Sequence, residues 1–445
     1  MNVTNVIEFM HKRKVPLLLS LFFYFLYFKM RNIDWLDKDA QIFSKIDASP
    51  LSFAIQRYKI WSSRFWIEGA TLFSSHHLLI FCLITMILVF LLFYSMSQML
   101  ALLGFDNNYL FVLIFIAIFP INSLDSAGMI ATIVNYIWPI ALFSYWLMTD
   151  LQMRLEEISK TKKVISILFL ILSVFNEGLA VVLLLYIILK AIVDRKDFIN
   201  PYNISYGVIS LLSILNILLA PGNHNRNITE TAHWFPKFDK ISLFDKILIQ
   251  FNNISVNLID HYGLLLTFLA LLLIIKASQE RKILLMVLAG LAVLLGNSYQ
   301  KIISTNLDKI IENSSKQTFS TRLIDNLMGQ SFVFAVIIGL IAAVIFLLYG
   351  KSKESLLLIG ALGITFSSAM AAALSPTLLA SLDRPLIPLY IVLTFSCIFL
   401  ANDIISVHSK TPLVAVAEKE IDEKEVDEKE EVNEKQKEKE VLKNA

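Results

Sequence analysis

Long apolar runs with no polar alternation constrain this chain more than any other feature of its sequence. A helix that crosses a bilayer needs about 20 mostly apolar residues. In lipid, only helices or closed barrels satisfy every backbone polar group. Barrel strands alternate apolar and polar residues; these runs do not, so they predict helices. They place spans near 15–32, 76–99, 108–124, 128–149, 164–176, 178–193, 204–220, 257–275, 283–297, 331–350, 355–374 and 385–402. The expected fold is an all-α, polytopic transmembrane protein of about 12 spans, within a range of 11 to 13. The runs 164–176 and 178–193 are read as two short helices meeting at the polar turn Asn176-Glu177-Gly178. Irregular backbone at that depth persists only beside protein or water.

Composition agrees with this reading and excludes others. The 445 residues are 56% hydrophobic and only 17% charged, where a soluble domain carries roughly a quarter of its residues as charges. Residues 418–443 hold 12 acids and 7 bases (net −5), which leaves 25 acids and 32 bases (net +7) for the rest. The chain therefore divides into a transmembrane body, 1–405, and a charged Glu/Lys-rich tail, 406–445, read as solvated and at most partly helical. A soluble enzyme, a fibrous protein and a nucleic-acid binder are excluded. The two cysteines, Cys82 and Cys397, both sit in apolar runs and supply neither a disulfide framework nor a Cys-based metal site. Gly-rich phosphate loops, HExxH and GxSxG are absent as well.

Lysine- and arginine-rich loops set the expected orientation. Counting spans alternately puts 11–14, 154–163, 195–196, 276–282, 351–353 and the tail on one side, the cytoplasmic one. Both termini are then cytoplasmic. The first run lacks a small-residue cleavage site and reads as a retained helix. The polar loops 33–75, 221–256 and 298–330 fall on the opposite, outer side, which is where the work is expected.

The first outer loop opens with Asp34, Asp37 and Asp39 within six positions, at the expected depth of the outer headgroups. Carboxylates near lipid are costly and are functional candidates by default. They suit a general base that takes a proton from an acceptor hydroxyl; they equally suit an acidic, solvated helix start. Further on, Arg57, Trp61, Arg64 and Glu68 share one face of a helix that lies in the interface, with Tyr58, Phe65 and Trp66 covering much of the rest. Stacked guanidinium groups match phosphate geometry, though interfacial arginines also simply reach to water. Asn135-Tyr136-Ile137-Trp138-Pro139 lies within a span, where the proline kinks the helix and frees backbone groups. Glu177 is an intramembrane carboxylate, Pro221-Gly222-Asn223 with Arg226 ends another span, and Asp383-Arg384-Pro385 opens the last. Four of the six tryptophans (Trp35, Trp61, Trp66, Trp234) lie in outer loops, as an interfacial belt or a sugar-stacking surface would place them.

Taken in order, Asp37-Lys38-Asp39-Ala40, Arg57-Tyr58 with Trp61-Ser62-Ser63-Arg64, Asn135-Tyr136-Ile137-Trp138-Pro139, Asn176-Glu177-Gly178, Pro221-Gly222-Asn223 with Arg226, and Ser375-Pro376-Thr377 resemble the bacterial multi-pass glycosyltransferases of the GT-C type that decorate cell-surface polysaccharides. The resemblance covers roughly residues 15–402 and leaves the tail without a counterpart. It implies a GT-C-like fold in the bacterial cytoplasmic membrane, a polyprenyl-phosphate-linked sugar as donor, and transfer to a glycan acceptor on the outer face. It also implies an essential carboxylate in the first outer loop: Asp39 or Asp37, with Asp34 third. Lys38, standing between the acids, departs from the expected acidic pair and leaves open which aspartate acts and whether a divalent cation (Mg or Mn) assists. In this reading Arg57, Arg64 and Arg226 hold the phosphate, while Tyr58, Trp61, Glu68, Asn135, Tyr136, Glu177, Asn223 and Arg384 orient substrate or brace the site. A polysaccharide polymerase or ligase, for which the 221–256 loop with His224, Arg226 and His233 speaks, and a lipid-linked sugar transporter are the alternatives.

Overall fold

The computed structural model describes residues 42–105, 108–125, 129–193, 195, 198–316, 322–381 and 383–406. The first expected span, Asp34, Asp37 and Asp39, and nearly all of the tail lie outside the described residues. All regular structure among the described residues is helical.

Two short helices come first: α1 (Pro50–Ile60) and α2 (Phe65–His76). Ser49 caps α1 by accepting from the Ser52 N–H at 3.2 Å, and Pro50 occupies the first turn, where a missing N–H costs nothing. There follow α3 (Leu78–Leu102), α4 (Asn108–Ile118), α5 (Met129–Gln152), α6 (Lys160–Ser173), α7 (Glu177–Val193) and α8 (Pro201–Leu219). Next are α9 (Pro221–Trp234), α10 (Leu243–His261), α11 (Gly263–Gln279) and α12 (Ile283–Ser314). Finally come α13 (Arg322–Tyr349), α14 (Lys353–Met370) and α15 (Arg384–Ser406). α3 and α6 pack on α5, α11 and α13 flank α12, and α9 lies across α1.

Six of these helices are long and apolar enough to cross a membrane, or seven if the pair α10 and α11, bent by 78°, counts as one broken span. The twelve expected crossings are not reached among the described residues. The reason is length. The run 108–124 yields an 11-residue helix, and 164–176 and 178–193 yield helices of 14 and 17 residues, all shorter than the about 20 residues of a typical span. The run 283–297 is the apolar start, Ile283–Tyr299, of the 32-residue α12. The expected break between two short helices at Asn176 is present: α6 ends at Ser173 and α7 begins at Glu177.

Helix surfaces separate into two kinds. Leu79, Leu83 and Ile87 on α3, Leu211, Leu212 and Leu218 on α8, and Leu284, Val287 and Leu294 on α12 stand exposed. Such a coat suits lipid and not water. The interior is filled by large aromatics, with Trp146, Tyr206, Phe334, Tyr390 and Phe399 fully buried. Charged ties join helices inside this core. The Asp150 carboxylate on α5 accepts from Lys190 Nζ at 2.9 Å and from the Tyr186 hydroxyl, both on α7. Lys276 on α11 pairs with Asp403 on α15 at 2.7 Å, and Asp403 also accepts from Tyr349 of α13.

Candidate functional site

The site is built around a break that the helical pattern conceals. The stretch 57–68 is not one helix: it parts at Trp61-Ser62-Ser63-Arg64, between α1 and α2. Ser62 Oγ takes the Arg64 N–H at 3.1 Å, a local bond that competes with helix continuation. Both backbone groups of Ser63 are claimed from α8 and α9: Asn223 Oδ1 accepts from its N–H at 3.0 Å, and Asn216 Nδ2 donates to its carbonyl at 3.1 Å. Gly222 makes this approach possible. A Cβ there would stand 2.5 Å from the backbone nitrogens of Trp61 and Ser62 and 2.7 Å from the Tyr58 carbonyl oxygen. Pro221 stops α8 at Leu219 and starts α9, so the Gly-Asn pair meets the break.

Opened in this way, the loop aims Arg64 inward. Its Nη2 forms an ion pair with Glu177 Oε2, and its Nη1 donates to Asn135 Oδ1 at 3.0 Å. Ser63 Oγ donates to the other Glu177 oxygen at 3.3 Å. Asn135 is presented by a π-helical turn, Ile133–Ile137, within α5; such turns recur at functional sites. Pro139 lacks the N–H that would bond to the Asn135 carbonyl four residues back. Asn176 fills the vacancy, its Nδ2 donating to that carbonyl at 2.7 Å while its Oδ1 accepts from the Leu179 N–H at 3.1 Å to cap α7. One proline thus binds the Asn135 turn to the Glu177 turn.

A second layer faces the same loop. Arg57 Nε donates to Glu68 Oε2 at 2.9 Å, so Arg57 carries its own counter-charge. The guanidinium carbons of Arg57 and Arg226 stand 4.7 and 6.0 Å from the Trp61 ring, within cation–π range. The Arg226 side chain makes no hydrogen bond or ion pair with another described residue, though the Glu177 and Glu230 carboxylates act on it at longer range. Burial, and then the like charge of Arg64, hold its pKa below the ordinary arginine value. Burial works most strongly against the charged form of Arg64 too, but Glu177, Tyr136 and Glu68 together outweigh it and raise the Arg64 pKa. Arg64 Nε is buried without a partner. With Glu68, Glu177 and Glu230 near the three guanidinium groups the charges balance, but the Arg64 Nε–H and the Arg226 guanidinium leave N–H donors to spare.

The structure therefore brings together Arg57, Trp61, Arg64, Glu68, Asn135, Glu177, Asn223 and Arg226. Tyr136, on the π turn, acts electrostatically on Arg64. Tyr58 supplies its carbonyl beside Gly222 and packs its ring on Phe65 with centroids 6.4 Å apart. Arg384 stands elsewhere: it donates to the carbonyls of Ser381 and Ala380, closing its own turn at 3.1 and 3.3 Å, and does not brace this cluster. Ser375 and Thr377 likewise bond to each other, at 2.8 Å. Ser63 and Asn216 join the cluster without having been singled out as site residues from the sequence. Asn216 had a signal, a polar side chain inside an apolar span; Ser63 had none. Among the described residues no group of three His, Cys, Asp or Glu is placed to hold a metal ion; the aspartates considered for a divalent cation lie outside them.

Comparison with known proteins places the chain in no family: no family model matches it, and no curated protein or solved structure is significantly similar.

Proposed function

We propose that this membrane protein is a glycosyltransferase of the GT-C type, which moves a sugar from a polyprenyl-phosphate donor to a cell-surface glycan on the outer face of the cytoplasmic membrane. The observation that carries the reading is the cluster at Trp61. It has a guanidinium, Arg226, that is hydrogen-bonded to no described carboxylate, beside Arg64, whose buried Nε–H has no partner. Such a site suits a phosphate anion, which guanidinium recognises in a bidentate way. It lies in a protein whose exposed apolar helices suit a lipid tail. Donors fixed before the reaction stabilise charge on the departing phosphate without reorganising. The Ser63, Asn135 and Glu177 contacts supply that fixity. Asp37 or Asp39 takes the proton from the attacking hydroxyl, and the anomeric carbon exchanges its phosphate oxygen for the acceptor oxygen.

The test is sugar transfer in isolated membranes. Asp37→Asn and Asp39→Asn are made singly and together, alongside Arg226→Ala. Loss of transfer in at least one aspartate variant, and a roughly 100- to 1,000-fold loss in Arg226→Ala, on the scale of removing one transition-state donor, is expected. Wild-type transfer in all four variants sinks the reading.

A further inference from the structure

A cavity lies apart from the arginine cluster, at the 78° bend between α10 and α11. It measures about 670 Å³, within the range typical of small-molecule sites. Its polar lining is Asn122, Asp260, His261, Tyr262, Thr267 and Asn297; the rest is apolar, including Phe119 and Leu264. Among the described residues no lysine or arginine lines it, which sets it apart from the arginine cluster.

The orientation of His261 follows from its neighbours. The end of α10 is a π-helical turn, Asn257–His261. Asn257 has one side-chain atom 2.8 Å from the Asn253 backbone carbonyl, which can only accept, so that atom is the amide nitrogen. Its oxygen therefore faces His261 Nδ1 at 3.3 Å. In the neutral ring Nδ1 then carries the proton and Nε2 keeps a lone pair. The arrangement continues inward. Asn253 Nδ2 donates to Gln250 Oε1 at 3.4 Å, and Gln250 Nε2 donates to the Ala369 carbonyl at 2.9 Å. The neighbouring Ser368 hydroxyl donates to the carbonyl of Gly178, next to Glu177, at 2.8 Å. Residues 250, 253, 257 and 261 share one helix face. The first three are buried. Buried amides are costly unless bonded; bonded in series, they fix the ring at the end of the row.

We propose that this cavity is a binding site for an uncharged, polyhydroxylated ring, a sugar of one or two units, with His261 Nε2 accepting from one ligand hydroxyl. Hydroxyl groups both donate and accept. They match a lining of amide, hydroxyl and imidazole acceptors together with amide donors, and a described lining without lysine or arginine disfavours a phosphate. Its assignment as the acceptor subsite rests on the transferase reading; the sugar site itself does not.

The experiment uses the full chain in detergent. Cys82 and Cys397 are both buried, so Leu264→Cys, on the cavity wall, adds the accessible thiol. Its labelling by a hydrophilic maleimide is timed alone and with each of a panel of uncharged disaccharides (maltose, lactose, cellobiose, sucrose), inorganic pyrophosphate or putrescine. At least one disaccharide should slow labelling, by about tenfold at ten times its Kd, with pyrophosphate and putrescine ineffective. Adding His261→Ala should abolish the protection without changing the ligand-free rate, and Asn257→Leu, which frees the ring, should weaken it. The proposal is overturned if no disaccharide protects, if pyrophosphate or putrescine protects as well as the sugars do, or if His261→Ala retains full protection. Protection that persists in aspartate variants with wild-type transfer would leave the sugar site standing while the transferase reading falls.

Discussion

Arg64 and Glu177 form a pair that no single substitution separates cleanly. Removing Arg64 leaves a half-buried carboxylate beside Ser63 with its principal charge partner gone; this should cost about 1–3 kcal/mol of stability and release Asn135 as well. The double exchange Arg64→Glu with Glu177→Arg keeps the net charge of the cluster but moves its donors. Thermal unfolding in detergent should therefore recover at least part of the loss, whereas sugar transfer should not. Full recovery of transfer in the exchange variant would show that only charge matters and that donor position does not. Gly222 is a sterner case. Its α-carbon faces backbone atoms of the α1–α2 break, and backbone cannot move aside as a side chain can. Gly222→Ala should lower the midpoint of thermal unfolding, at about 1–3 kcal/mol, and reduce transfer by displacing Trp61. Unchanged stability and activity in the Gly222→Ala variant would mean that α9 does not press on the loop as described.

At the scale of elements, the two π turns repeat one device. In α5, Pro139 leaves the Asn135 carbonyl without its helical donor, and Asn176 reaches across from the start of α7 to supply one. In α10, Asn257 bonds back to Asn253 and forward to His261 across the turn. Each turn widens a helix where a side chain must leave the regular pattern. Pro139→Ala restores the missing N–H and should favour regular α-helix across 133–137, turning Asn135 away from Arg64. Transfer should fall while stability is held or raised, since alanine is the better helix former by about 3 kcal/mol in a helix interior. A combined loss of both would instead mark Pro139 as a packing residue. The break in 57–68 was concealed for a related reason. Its apolar and charged residues follow a helical period, and the bonds that end the helix come from Asn216 and Asn223, far along the chain.

On the scale of the whole molecule, helices held by buried ion pairs form a body coated with exposed aliphatic side chains. Asp150 and Lys190 sit almost fully buried, with side-chain exposures of 3% and 9%. A partner removed from such a pair typically costs about 3–5 kcal/mol, whereas replacing both with apolar residues is often neutral. Asp150→Asn should thus lower the unfolding midpoint in detergent markedly, and Asp150→Leu with Lys190→Met should return much of it. If the single variant is as stable as the parent, the α5–α7 tie carries no structural weight. The apolar coat was legible in the sequence because burial in lipid demands only composition and length. So were most of the polar residues that the structure gathers around Trp61, since polar groups stand out in apolar surroundings. The number of crossings was not, because hydropathy reports what a run dissolves in and not how far its helix continues; the helices of 164–176 and 178–193, of 14 and 17 residues, fall below the about 20 of a typical span. Nor was the assembly of the site. Local sequence set the prolines, the glycine and the period of each helix. Only the tertiary structure decided that Asn176 would meet Asn135, that Asn223 would open the loop at Ser63, and that Arg226 would face Trp61 beside Arg64. Those pairings join residues tens to more than a hundred positions apart, and their strength lies in desolvated geometry that no local pattern encodes.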